Sequence, residues 1–314
     1  MILYGKYFNM ANPKIQNDPI YARILNERGG ASVFRQDLMR EIQTRRKNTK
    51  VITYISKYGH PAAMINHDDT KPIDDLLRSI GKTENLELMI HSAGGFSENA
   101  KKIVKMCRQY CNKLTVIVPD AAKSAATILS LGADEIIMSD SSELGPIDPQ
   151  FIFPTPQGGM QVVPAWTIVR GFQEAIKDAV DEKGKIKVAY IPILNNLDVA
   201  KVKEAKEALE NAKRIAEEFL KAGMLKNDKK KAVKTAKDLA YAEKYTLHAH
   251  LIDWREAKTL LGDSAIVYLK PDDEIWKLYW ELYVRSATFL GNPVLVKLFE
   301  SESNAINIQA GVIK

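Results

Sequence analysis

The chain has 314 residues, 46% hydrophobic and 27% charged, a balance that excludes wholesale disorder and suits one large domain or a core with an appendage. No stretch approaches the ~20 uninterrupted apolar residues of a bilayer span. The net charge of +6 sits in lysine runs broken by acidic residues. Such runs are solvated helix faces, so the charge alone makes no case for nucleic acid.

The opening MILYGKYFNMANPKIQND lacks the apolar centre and small-residue cleavage site of a secretory signal, so a cytoplasmic protein is expected. Residues 32–48 predict a helix, with Ser32 as its cap and Val33, Leu38 and Ile42 about one turn apart. KVITYIS (50–56) and AAMIN (62–66) read as strands around a turn at 58–61. A helix follows over 68–82, acidic in its first turn and closed near Gly81. LELMIHS (86–92), KLTVIVP (113–119) and DEIIMS (134–139) are apolar strands, separated by helical patterns over 97–111 and 121–133. Alternation of this kind predicts an α/β fold with a largely parallel sheet and right-handed crossovers.

Beyond residue 164 the pattern is mainly helical. PAWTIVRGFQEAIKDAV (164–180) fits a helix, KIKVAYIPI (185–193) a strand, and 198–245 two or more long helices. Trp276, Tyr279, Trp280 and Tyr283 make a stripe at helical spacing, suited to a core or a subunit contact. The segment after Asn292 has no strong pattern and reads as a tail for docking on a neighbour. The expected division is an N-terminal helical arm (1–48), a catalytic core (49–195) and a helical region that completes the core and mediates assembly (196–314). Cys107 and Cys111, four apart, are expected on one helix face as reduced thiols, since no His or further Cys completes a metal set. Lys229–Lys231 is the best contact for an acidic partner, but no aromatic platform accompanies it.

Two places carry chemistry. Gly94 and Gly95 fall where a strand gives way to a helix, and Ser124 opens a helix after the next strand. Serine is a favoured helix cap and paired glycines favour a turn, so each has a purely structural reading. Together they also have a functional one. A serine at a helix N-terminus lies beside free N–H groups, and in parallel sheets ligands gather at the carboxyl ends of the strands. A nucleophile with backbone donors for an oxyanion is the equipment of acyl transfer.

HSAGG (91–95), VPDAAKSAATILSLGADEIIM (118–138) and SELGPIDPQF (142–151), in this order and with short spacings, resemble the serine dehydrogenase proteinase family. That family groups with signal peptide peptidase A and the Clp proteolytic subunit in the ClpP/crotonase superfamily. The resemblance is specific over about 33–151 and continues weakly through 164–166 and 248–262. It implies repeated β-β-α units and a serine peptidase, metal-independent and without a cofactor, acting on peptide or protein as a homo-oligomer, with no membrane partner. It implies Ser124 as nucleophile and the N–H groups of Gly94, Gly95 and Ala125 as oxyanion donors. Ala125 stands where the family usually has glycine, and Ala93 replaces its proline. No dinucleotide fingerprint accompanies the family's name, so no dehydrogenase activity is expected.

The base stays open. Asp148 falls where the Clp subunit has histidine. Lys177 and Lys201 are placed like the lysine of signal peptide peptidase A, and His248 falls on a family histidine with His250 beside it. Lys123 is expected to point away from Ser124, and His91 to support its strand end. Two other functions compete: a non-catalytic scaffold in which Ser124 only caps a helix, and an acyl-CoA enzyme of the crotonase type.

Overall fold

The computed structural model describes residues 24, 32–155, 157–241, 245 and 250–310. After α1 (Ser32–Arg46), β1 (Thr49–Ser56), α2 (Thr70–Ile80), β2 (Thr83–His91), α3 (Ser97–Arg108) and β3 (Cys111–Ile117) build the start of the sheet. A two-residue strand β4 (Ala121–Ala122), the helix α4 (Ala125–Leu131), β5 (Glu135–Met138) and another two-residue strand β6 (Glu143–Leu144) follow. An arm then leaves the core: the hairpin β7 (Gln150–Pro154) and β8 (Met160–Pro164), α5 (Ala165–Ala179) and the short α6 (Ile191–Asn195). The chain returns through α7 (Val199–Ala222), α8 (Lys229–Tyr241), α9 (Trp254–Leu261) and β9 (Ile266–Tyr268). It closes with α10 (Glu274–Phe289), β10 (Leu295–Ser301) and β11 (Ala305–Gln309).

The main sheet runs β11-β10-β1-β2-β3-β5-β9. The strands β1, β2, β3, β5 and β9 pair in parallel, and β10 and β11 add antiparallel at one edge. The period-2 alternation explains why both faces are dry. Ile52, Tyr54, Leu86, Leu88, Ile90, Leu114 and Val116 pack in one cluster with α2, α3 and α4, while Val51, Ile55, Met89, Ile117 and Leu298 pack in another beneath α10. The expected α/β arrangement with a largely parallel sheet and a helical C-terminal region is therefore the fold.

Local readings are corrected in four places. Residues 62–66 do not form a strand: Pro61–Ala63 is a 3-10 turn, and only Ile65 makes a single parallel bridge, to Gly95. Residues 185–193 hold a 3-10 turn and the start of α6, where Pro192 enters the first turn of a helix without requiring a donor. Cys107 lies in the last turn of α3, whereas Cys111 begins β3, its thiol donating to the Cys107 carbonyl at 3.4 Å.

The segment after Asn292 supplies β10 and β11, and β10 lies fully buried against β1. Its charged residues hid it: Lys297 and Glu300 are buried as ion pairs with Asp69 and Arg35. The aromatic stripe is core, with Trp276, Tyr279 and Tyr283 buried.

Candidate active site

Beside the main sheet runs a row of short pairings at the carboxyl ends of its strands. Ser92 bridges Ala122, β4 pairs with β6, and Leu144 of β6 bridges Ile252. The row fixes the backbone on both sides of the turn that carries Ser124. The Ser92 N–H donates to Ala121 O at 2.9 Å, and the Lys123 N–H donates to Ser92 O at 3.0 Å.

Ser124 stands at the cap position of α4 with φ 51° and ψ −118°, and its side chain makes no capping hydrogen bond. A non-glycine residue held in that region stores strain of about 1–3 kcal/mol and persists only where its surroundings dictate it. A sharp, strained strand-to-helix turn is also how a nucleophilic serine is lifted clear of a sheet. All seven residues of α4 are buried, so the helix is packed on every side, while Ser124 itself is half-exposed. The expected cap is thus a cap by position only.

The glycine pair is required by contact on both sides. A Cβ on Gly94, whose φ is +108°, would lie 2.7 Å from Ser124 Cβ and 2.8 Å from Lys123 O. On Gly95, with φ +152°, it would lie 2.4 Å from both Ile65 N and Ile65 O. Gly94 therefore lets the loop touch the serine, and Gly95 lets it touch the 62–66 segment. The Ile65 N–H donates to Gly94 O at 2.8 Å and the Phe96 N–H to Ile65 O at 2.9 Å.

That bridge takes one edge of the extended Gly94–Phe96 backbone, and the Gly95 N–H and carbonyl face the other edge. The Gly94 N–H, expected as an oxyanion donor, instead donates to the buried Ser92 hydroxyl at 3.1 Å. Among the described residues neither the Gly95 N–H nor the Ala125 N–H has an acceptor. Ala125 is the first residue of α4, where an orphan N–H and the positive end of the helix dipole coincide.

The titratable groups divide clearly. Lys123, beside Ser124 in sequence, is buried and points away, as expected. Its Nζ pairs with Glu143 at 2.9 Å and donates to Leu144 O at 3.0 Å and His250 O at 3.3 Å. Gly145 makes room for it, since a Cβ there would meet Lys123 Cδ at 2.7 Å. Asp148 is fully buried. Lys177 is exposed in the last turn of α5, and Lys201 is exposed on α7, 3.5 Å from Asp198 and over the Phe153 ring. His248 lies outside the described residues. His250 reaches Glu256 at 3.2 Å and packs on Tyr245.

His91 closes β2 between the rings of Tyr58 and Tyr283, and its Nδ1 accepts from the Ala121 N–H at 3.3 Å. Burial pushes its pKa down, against the opposing pull of Asp120. The same burial, with the Asp120 carboxylate that accepts its hydroxyl, pushes the Tyr283 phenol up. His91 therefore braces the strand end, as expected of it. Sequence reading missed Ser92, Ile65 and the pair Lys297 and Asp69. Their places depend on contacts between remote segments, and only the serine inside HSAGG was a local hint.

A family model described as ClpP-like SDH-type serine proteinase matches residues 24–260. An uncharacterized protein of Methanocaldococcus jannaschii, MJ0137, is 31% identical over 156 residues, 48% of this chain and 51% of that one. A second from the same organism, MJ1495, is 33% identical over 119 residues, 36% of this chain and 40% of its own length. The chain thus spans about half or less of the curated relatives it matches. Among solved structures, the 1510-N membrane-bound stomatin-specific protease aligns at 14% identity and TM-score 0.39, over 70% of this chain and 81% of that one. ClpP1 from Listeria monocytogenes aligns at 14% identity and TM-score 0.38, over 73% and 95%.

Proposed function

The chain belongs to the family of ClpP-like SDH-type serine proteinases, and on that premise we propose that it hydrolyses peptide bonds through an acyl-enzyme on Ser124. The observation that carries this reading is the strained Ser124 backbone, pressed against Gly94, with the Gly95 and Ala125 N–H groups unpaired beside it. A substrate segment pairs with the open edge of Gly95 as an added strand. Ser124 Oγ attacks the scissile carbonyl, and the two N–H groups receive the oxyanion. The hydroxyl proton passes to a base and on to the leaving amine as the C–N bond breaks. Water then repeats the sequence and releases the acid. Gly94 serves by close approach and by holding Ser92, not by donating to the oxyanion.

The base is sought among Asp148, His248, Lys177 and Lys201. Of those within the described residues, Asp148 is buried and both lysines are exposed. A lysine needs burial to lose its proton near neutral pH, so either lysine would act only once covered by another chain. No metal takes part in the proposed steps, and the described residues hold no cluster of three or more metal-ligating side chains. Association of like chains is part of the reading: Ile152, Met160, Ile186 and Val188 of the arm are 59–79% exposed. We place the protein in the cytoplasm, consistent with two free cysteines, and no described helix is long and apolar enough to cross a membrane.

The test is a fluorophosphonate probe read by intact mass on the wild type and on Ser124→Ala, with and without EDTA. One adduct is expected on the wild type, insensitive to EDTA and lost in the variant. No adduct between about pH 6 and 9 on folded protein would leave the scaffold reading in its place.

A further inference from the structure

The glycine loop is steadied from behind by a residue more than two hundred positions away. Ile65 is bonded on both sides to Gly94–Phe96, so wherever Met64–Asn66 sits, the loop must follow. That segment is held at each end. Lys297 Nζ donates to Met64 O at 2.7 Å and to Asp69 Oδ1 at 2.6 Å. The other oxygen of Asp69 accepts from the Asn66 N–H at 2.8 Å and from the Tyr54 hydroxyl at 2.6 Å. Both charged side chains are 2% exposed.

A buried ion pair is a poor way to gain stability, because desolvation offsets the attraction, yet it fixes geometry well when its lone pairs and protons are all used. Lys297 projects from β10, which is hydrogen-bonded to β1 on one side and β11 on the other and is buried along its whole length, so the anchor is an interior strand of the sheet. The same strand offers a comparison. Glu300, also on β10, pairs with Arg35 at 2.7 Å with side chains 0% and 1% exposed, but it clamps α1 and no part of the loop.

We propose that Lys297 and Asp69 are positioning residues that set the Gly95 N–H for the oxyanion on Ser124. The proposal rests on the peptidase reading above. Displacing an oxyanion donor slows the chemical step without weakening encounter with the reagent, which separates this role from a purely structural one.

The experiment compares two neutral pair variants of the full chain, Lys297→Met/Asp69→Asn and Arg35→Met/Glu300→Gln. Each loses one buried ion pair from β10. Reaction with a rhodamine-tagged fluorophosphonate is resolved into a maximal inactivation rate and a half-saturating concentration. Amide exchange at Ile65 and Phe96 is followed in parallel. For Lys297→Met/Asp69→Asn the maximal rate falls at least about tenfold with half-saturation within about twofold, and both amides exchange faster. For Arg35→Met/Glu300→Gln melting drops comparably while rate and exchange stay within about twofold.

Equal loss of rate in both variants, or no change of rate and exchange in the first, overturns the proposal. If Lys297→Met/Asp69→Asn does not fold, Tyr54→Phe removes one donor to Asp69 and leaves the charges paired. Exchange at Phe96 then rises and the maximal rate falls, each about two- to threefold, and unchanged values overturn the proposal. A wild type that never reacts sinks the peptidase reading instead, and amide exchange alone then decides whether the ion pair holds the loop.

Discussion

Two stretches on either side of Pro149 treat their apolar residues in opposite ways. From Leu114 to Leu144 the strand ends, the serine turn and α4 are buried almost without interruption, with Ala122, Ala126 and Leu129 at 0% exposure. From Gln150 to Val199 the arm packs through a small cluster of Ala165, Ala205 and Leu209, reaches the main core with Trp166, and leaves Met160 73% and Val188 79% exposed. Where packing is complete, the backbone can be held in costly conformations, as at Ser124, Gly94 and Gly95. Where it is sparse, the apolar residues are free for another surface. The contrast separates a part of the molecule that fixes geometry from a part that offers contact.

Replacing one glycine on each side tests that contrast most severely. Gly95→Ala puts a methyl into the Ile65 backbone, and Gly184→Ala, at φ +76°, meets nothing within 4 Å. The first is expected to cost about 3 kcal/mol or more and to abolish fluorophosphonate labelling. The second costs about 1 kcal/mol from its backbone conformation alone. Urea denaturation of both variants checks this, and equal costs would show that the serine turn is not over-determined.

Met160→Asp with Val188→Asp addresses the arm. The pair is expected to lower the sedimenting mass while moving the melting temperature by about 2 °C or less. A large loss of melting temperature with unchanged mass would make these side chains part of a core.

A smaller effect is expected from His91, which is buried in its neutral form. With its pKa lowered from 6.5 by burial, its contribution to stability is intact above about pH 6.5 and is lost as pH falls below it, because the unfolded chain takes up the proton first. Melting temperature should therefore fall between pH 7 and about pH 5, and less steeply in His91→Asn. The smallest expected effect is chemical. Burial pushes the Cys107 thiol up to about 12 and the Cys111 thiol up to about 11. Iodoacetamide at about pH 8 should leave both untouched in the native protein and modify both after denaturation, as mass spectrometry would read directly.

Much of the central fold was legible because β1, β2, β3 and β5 are apolar on both faces and alternate with helices, a pattern that survives any tertiary arrangement. The glycine loop and Ser124 were legible for a related reason. A chain has few ways to bring backbone against backbone, and small residues mark the place. Illegible were β10, whose Lys297 and Glu300 look like surface residues until Asp69 and Arg35 are brought to them. The bridge at Ile65 was hidden as well, since one residue makes the pairing.

By itself the sequence determined the parallel core, the strand-to-helix turn at Ser124 and the family to which they belong. These follow from local periodicity and from residues whose size admits few conformations. Tertiary structure alone decided that Gly94 gives its N–H to Ser92, that Lys123 finds Glu143 as its partner, and that a C-terminal strand holds the segment bridged to the glycine loop. Each of these depends on which partner reaches a polar group first in three dimensions. Buried polar groups take whatever partner the packing supplies, and chain order carries no record of that choice.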